Sequence, residues 1–174
     1  MSTTESAPII PSFDDEDTDR KLAIICSKGN LDMAYPGLIL GNAALGEGIE
    51  THLFFTFWGF DMIMKSRMND LQFSPAGNAA MHLPGSDRHL PQALAPAMTG
   101  LATKMLKKQI SDLGVPEVPE FLDQIVAAGG HLWACRMSAD MMKIDVADLR
   151  DDVEGIISAS DFIEKTNGAQ LLFI

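Results

Sequence analysis

Lys21-Leu22-Ala23-Ile24-Ile25-Cys26-Ser27 is a short apolar run that ends in a polar turn, Ser27-Lys28-Gly29-Asn30. A strand with one wet face alternates apolar and polar residues. A run that is apolar throughout reads as a strand buried on both faces. Such strands belong to parallel sheets covered by helices, and the following segments have the matching order. Asp32 precedes an Ala- and Leu-rich stretch, Met33 to Leu45, that predicts a helix with Pro36 in its first turn and Gly46 and Gly48 at its end. Glu50 to Phe57 predicts a second buried strand, and Gly59 to Ser66 a short helix.

Further along, Asn69 to Pro91 has little periodicity and three prolines, so it reads as a long loop. Gln92 to Leu113 is helical, with Met98, Leu101, Met105 and Leu106 on one side and Lys104, Lys107 and Lys108 on another. Glu120 to Ala128 predicts a helix closed by Gly129-Gly130, and His131 to Cys135 a third strand. Ser138 is placed to cap a helix over Ala139 to Lys143. Gly155 to Ser158 is a short strand, Ala159 to Thr166 a helix and Ala169 to Ile174 a last strand. Strands alternating with helices imply an α/β domain with a mainly parallel sheet of about five strands and helices on both faces. In such sheets, ligand and catalytic residues lie beyond the carboxyl ends of the strands.

The chain has 24 acidic and 13 basic residues, a net charge of −11. That balance argues against nucleic acid, whose phosphates require clustered Lys and Arg. Residues 1–20, with Asp14-Asp15-Glu16-Asp17, read as a disordered acidic tail, leaving 21–174 as one domain. That tail has no basic start followed by an apolar stretch, and it carries six acids against one Arg. A secretory or mitochondrial leader is therefore not expected. The longest apolar stretch, Leu53 to Met64, is too short to span a bilayer. Two cysteines far apart in sequence make no disulfide framework and suit a reducing compartment, so the cytoplasm is expected.

Cys135 is the candidate reactive atom, at the carboxyl end of the third strand, with Arg136 next to it and a helix about to begin. A helix N-terminus and an adjacent cation both favour thiolate over thiol. The bland alternative is an ordinary buried cysteine. Cys26 lies on the same sheet edge inside the most apolar strand and reads as core. The sharper alternative is a disulfide partner for Cys135, which requires strands one and three to be neighbours. His52 and His131 fall in strands and read as core residues; His82 and His89 fall in the long loop as candidate polar site residues. No histidine or cysteine has metal-ligand spacing and no nucleotide motif is present, so neither metal nor cofactor is expected. Ser27-Lys28-Gly29 before a helix is a weak anion-site signal. Met137, Met141 and Met142 flank Cys135 as a candidate apolar rim for docking.

Ser27-Lys28-Gly29 with Leu31-Asp32-Met33-Ala34-Tyr35-Pro36, the strand ending Phe55-Thr56-Phe57-Trp58-Gly59, and Ala134-Cys135-Arg136-Met137-Ser138 together resemble the DsrE/DsrF-like family, in its DsrE-related, peroxiredoxin-like sulfurtransferase branch. The resemblance covers about Lys21 to Ile174. It implies a flavodoxin-like three-layer fold, a homo-oligomer (trimer, tetramer or hexamer) and sulfur relay. It implies a persulfide on Cys135 that exchanges with TusA-like or rhodanese-like proteins, a carrier more than a turnover enzyme. Arg136, Ser138 and the Ser27-Lys28-Gly29 turn are the supporting residues, and Cys26 is a second thiol without a family role. The rival readings are a thiol–disulfide redox protein using Cys26 and Cys135, and a non-catalytic assembly subunit.

Overall fold

The computed structural model describes residues 19–73 and 95–174. His82, His89, most of the acidic tail and the 74–91 part of the long loop lie outside the described residues. Five strands, β1 (Lys21–Cys26), β2 (Glu50–Phe55), β3 (His131–Cys135), β4 (Gly155–Ile157) and β5 (Gln170–Phe173), form one sheet in the order β4-β3-β2-β1-β5. Every neighbouring pair is parallel. Helices α1 (Leu31–Gly46), α2 (Thr99–Asp112), α3 (Val118–Ala127), α4 (Arg136–Met142) and α5 (Ala159–Lys165) lie in the connections. The parallel α/β architecture expected from the alternation of apolar runs is present.

Register decides which side chains share a face. Cys26 pairs with Phe55 and Phe55 with Ala134, while Ile24 pairs with Leu53 and Leu53 with Leu132. This set faces α1, because a Cβ on Gly37 would lie 3.3 Å from Cys26 Sγ and one on Gly41 would lie 3.5 Å from Ile24. The alternate set, Ile25, His52, Phe54, Trp133 and Cys135, points to the opposite face. There Phe162 of α5 stacks on Phe54 with ring centroids 4.4 Å apart. The topology gives the reason. The chain steps from β1 to β4 in one direction and then returns across the sheet to set β5 beside β1. Right-handed crossovers put the returning helix on the other face from α1.

Several boundaries moved from their expected positions. Helix α1 starts at Leu31, which is buried and donates its N–H to Gln72 O (3.0 Å), so Pro36 sits in the second turn. In α2, Leu106 of the expected apolar side packs against the core, but Leu101 is 57% exposed and the buried positions are Ala102 and Thr103, so the buried side is rotated from the expected one. Pro119 lies in the first turn of α3, which starts at Val118. The helix expected over Gly59 to Ser66 is a 3-10 turn over Phe57–Met62.

That turn follows from close backbone contact. Thr56 N–H donates to Cys26 O at 3.0 Å. A Cβ on Gly59 would come within 2.0 Å of Cys26 O, and one on Gly29 within 2.4 Å of Trp58 O. Two glycines thus let the chains leaving β1 and β2 press together at the carboxyl edge of the sheet. Neither obstructing atom is a movable side chain, so Gly59→Ala must displace backbone. Its expected cost is about 3–5 kcal/mol, the range of substitutions that force a core backbone apart. A fall in unfolding free energy of less than about 1 kcal/mol in a denaturant melt would count against this packing.

Candidate functional site

Cys135 ends β3 and is the N-cap residue of α4. The helix was expected from Ala139 with Ser138 as its cap. It begins at Arg136, so Ser138 falls inside the first turn and makes no cap. The shift has a chemical consequence. Ser138 is fully buried, and its hydroxyl lies 3.0 Å from Thr56 Oγ1 and accepts the N–H of Phe57 at 3.0 Å. Thr56 follows β2 on the same face as Cys135, one strand away.

The thiol of Cys135 is 5% exposed. Burial alone pushes a thiol pKa up. Here the N–H of Ser138, the hydroxyls of Thr56 and Ser138, and the N–H of Met137 all act on the sulfur in the other direction and leave its pKa below the ordinary thiol value. Each hydroxyl has one proton to give. With a neutral thiol, one of them is spent within the Thr56–Ser138 pair; once the thiolate forms, both can turn to sulfur. Charge-assisted hydrogen bonds of this kind are roughly twice as strong as neutral ones. Thr56→Val is therefore expected to move the pH profile of Cys135 alkylation to higher pH, with the folded state retained. An unchanged profile would remove Thr56 from the site.

Phe57 carries the strain of the arrangement. Its φ of 45° is in the left-handed region, costly for an aromatic residue. The bond to Ser138 and the Gly59 packing hold it there. Thr56 and Phe57 were missed as site residues by sequence reasoning. The usable signal was a hydroxyl one place past the neighbouring strand, on the parity that faces Cys135.

The other sequence candidates fall in different places. Arg136 is exposed and donates from Nη2 to Ile156 O at 2.5 Å, so its guanidinium serves β4, and it is absent from the groups that perturb the thiol. Ser27 donates both its N–H and its hydroxyl to Ile174 O, each at 2.8 Å, so it secures β5. Lys28 is exposed, and Gly29 is a packing glycine under Trp58. Cys26 is 3% exposed, and burial pushes its thiol up to about 12. The condition for a disulfide is not met. Strand β2 lies between β1 and β3, which puts the two Cα atoms about 10 Å apart at two strand spacings. The sulfurs also point to opposite faces, whereas a disulfide needs Cα atoms within about 7 Å.

Around Cys135 the surface is apolar. On the segments that flank it, Phe57 (42% exposed), Trp58 (62%), Met137 (61%) and Met141 (56%) are open, and Met142 is half-buried. Among the described residues, one group brings metal-binding side chains together: Glu50, His52 and His131, with ligand atoms within 4.8 Å of one another. Trp133 Nε1, a donor only, donates to His52 Nδ1 at 3.2 Å. The His52 proton is then on Nε2, which donates to Glu50 Oε1 at 2.8 Å. Both nitrogens are occupied, and His52 has no lone pair left for an ion.

The chain was compared with known proteins. It is 37% identical over 146 residues to the sulfur carrier protein DsrE2 of Allochromatium vinosum, covering 82% of this chain and 91% of that one. It is 26% identical over 157 residues to the uncharacterized protein YrkE of Bacillus subtilis, covering 89% and 97%. Its fold is similar to the crystal structure of YchN from E. coli (TM-score 0.53, 13% identity, 89% of this chain and 99% of that one). It is also similar to MTH1491 from Methanobacterium thermoautotrophicum, a protein of unknown function (TM-score 0.55, 10% identity, 90% and 100%). These two likenesses bear on the fold alone. The model of the DsrE/DsrF/DrsH-like family matches residues 18–174, and with that match and the DsrE2 identity this chain belongs to that family.

Proposed function

We propose that this protein is a sulfur carrier that holds sulfane sulfur as a persulfide on Cys135. The observation that supports the reading best is the donor set around that sulfur: two backbone amides and two hydroxyls on a thiol with an apolar rim. The name of the DsrE2 relative supports the same class of role.

The chemistry balances without an external oxidant. Cys135 thiolate attacks the outer sulfur of a donor persulfide; a new S–S bond forms, the donor's S–S bond breaks, and the donor leaves as thiolate. In the reverse sense, a partner thiolate attacks the outer sulfur on Cys135, and Cys135 leaves as thiolate. The donors that lower its pKa make it a better leaving group. No proton moves in either direction, so no general acid or base is required, which suits a carrier rather than a turnover enzyme.

Phe57, Trp58, Met137 and Met141 offer a docking rim for TusA-like or rhodanese-like sulfur-transfer proteins. Self-association into a trimer, tetramer or hexamer would cover the sheet face where Leu171 (50% exposed) and Phe173 (69%) remain open. None of the described helices is long and apolar enough to cross a membrane, and we assign the chain to the cytoplasm.

Intact mass after incubation with polysulfide tests the reading. The expected result is a gain of one sulfur atom, removed by reductant and transferable to a second thiol protein. A mass that stays constant at full Cys135 alkylation competence would overturn it.

A further inference from the structure

At the other end of the same sheet face, away from Cys135, lies a polar cluster that sulfur chemistry does not use. His52 is 5% exposed, and its ring stacks on His131 with centroids 4.6 Å apart and planes 16° apart. His131 Nδ1 is 2.5 Å from Glu154 Oε1, ahead of β4. Lys21 of β1 is paired with Glu50 of β2, which also holds His52 Nε2. From α5, Lys165 Nζ sits 4.7 Å above the ring of Trp133, and Trp133 itself is 7% exposed. The charged and titratable groups around His52 are therefore Lys21, Glu50, His131, Glu154 and Lys165, drawn from β1, β2, β3, the β4 approach and α5.

The hydrogen bonds leave His52 one way to be neutral and no way to be charged in place. Its Nδ1 lone pair receives the Trp133 N–H. A second proton must go on Nδ1, which would set an N–H against an N–H at 3.2 Å. It would also put a cation against the His131 ring and in the field of the Lys21 ammonium. Only Glu50 favours the charged form, and it is already shared with Lys21.

We propose that His52 is an acid-sensitive latch: its protonation breaks the Trp133 bond and frees Trp133, and with it α5, from this face of the sheet. Helix α5 has seven residues and meets this face through the Phe162–Phe54 stack and through Lys165 over Trp133, so a Trp133 released from His52 disturbs one of those two ring contacts. The direction of the His52 pKa agrees. Burial lowers it, outweighing the bond to Glu50, and His131 lowers it further. A histidine whose folded pKa is lowered contributes stability that is fully present above its unfolded pKa and lost as pH falls through the lowered one. The latch thus opens on the acid side of the usual histidine range. It does not depend on the sulfur-carrier reading.

Trp58 and Trp133 are the two tryptophans of the chain, so Trp58→Phe leaves Trp133 as the sole reporter. Its emission is expected to shift red in a single step as pH falls below the ordinary histidine value, before far-UV circular dichroism changes. Adding His52→Gln, which still accepts from Trp133 and donates to Glu50 but does not titrate, is expected to remove that step. The step surviving in the double variant, or coinciding with global unfolding, overturns the proposal. Long-range proton–nitrogen NMR of the unsubstituted protein gives a test free of variants: His52 is expected as the Nε2–H tautomer at neutral pH, and an Nδ1–H tautomer is the overturning result.

Discussion

Cys135→Ser is expected to abolish sulfur loading completely, while Cys26→Ser leaves it intact. Both thiols are buried, but their surroundings shift their pKa values in opposite directions. For Cys135 the amides of Ser138 and Met137 and the hydroxyls of Thr56 and Ser138 offset its burial and hold its pKa below the ordinary thiol value. Cys26 is sealed against α1 with its pKa pushed up to about 12, so at neutral pH its thiolate is negligible. Each variant is incubated with polysulfide and its mass measured before and after reductant. Loading that survives Cys135→Ser would falsify the assignment. Loading lost in both variants would restore a two-cysteine mechanism, against strand order and side-chain parity alike.

Ser138→Ala is expected to have the second-largest effect, on reactivity and on stability together. The hydroxyl favours the charged form of the sulfur, toward which it can turn its proton once the thiolate forms. Hydrogen bonds to charged groups are worth about 1.5–3 kcal/mol, so alkylation of Cys135 at neutral pH is expected to slow at least about tenfold. The same hydroxyl is the acceptor for Phe57 N–H. Deleting it leaves that donor without its partner on a residue already at φ 45°, an expected loss of about 1–3 kcal/mol in a denaturant melt. Thr56→Val separates the two effects, since Thr56 bonds to Ser138 and lowers the Cys135 pKa but its side chain does not hold Phe57. Because the hydroxyls are bonded to each other, the double variant is expected to be less than additive in reactivity. Additivity within error would mean the two act on Cys135 independently.

The Cys135 profile also has a sign. A thiol with a lowered folded pKa stabilises the fold increasingly as pH rises through that value, and the gain is lost as pH falls through it. The expected alkylation rate therefore rises with pH to a plateau reached earlier than for an ordinary thiol. Cys135→Ser is expected to lose the alkaline part of the stability profile along with the reactivity.

The sequence by itself determined the strands, their order of occurrence and the strand end on which Cys135 lies. Unbroken apolar runs such as Lys21 to Cys26 and His131 to Cys135 have one economical solution, a parallel sheet buried on both faces, and they place Cys135 at a carboxyl end. Those signals are local and periodic, so they are legible without tertiary contacts. What the tertiary structure decided was who stands next to whom. The insertion of β2 between β1 and β3 separated the two cysteines, and strand parity turned them to opposite faces. The one-turn shift of α4 moved Ser138 from a cap to the side of the sulfur. Arg136, adjacent in sequence, was drawn away to Ile156, while Thr56, far off in sequence, was brought in. A residue's reactivity depends on donors within about 3–4 Å, and those arrive from elements whose neighbours are set by long-range strand pairing and backbone contacts such as Gly59 on Cys26. Periodicity does not encode those contacts, which is why the place of Cys135 at a strand end could be read from the chain and the hydroxyl pair beside it could not.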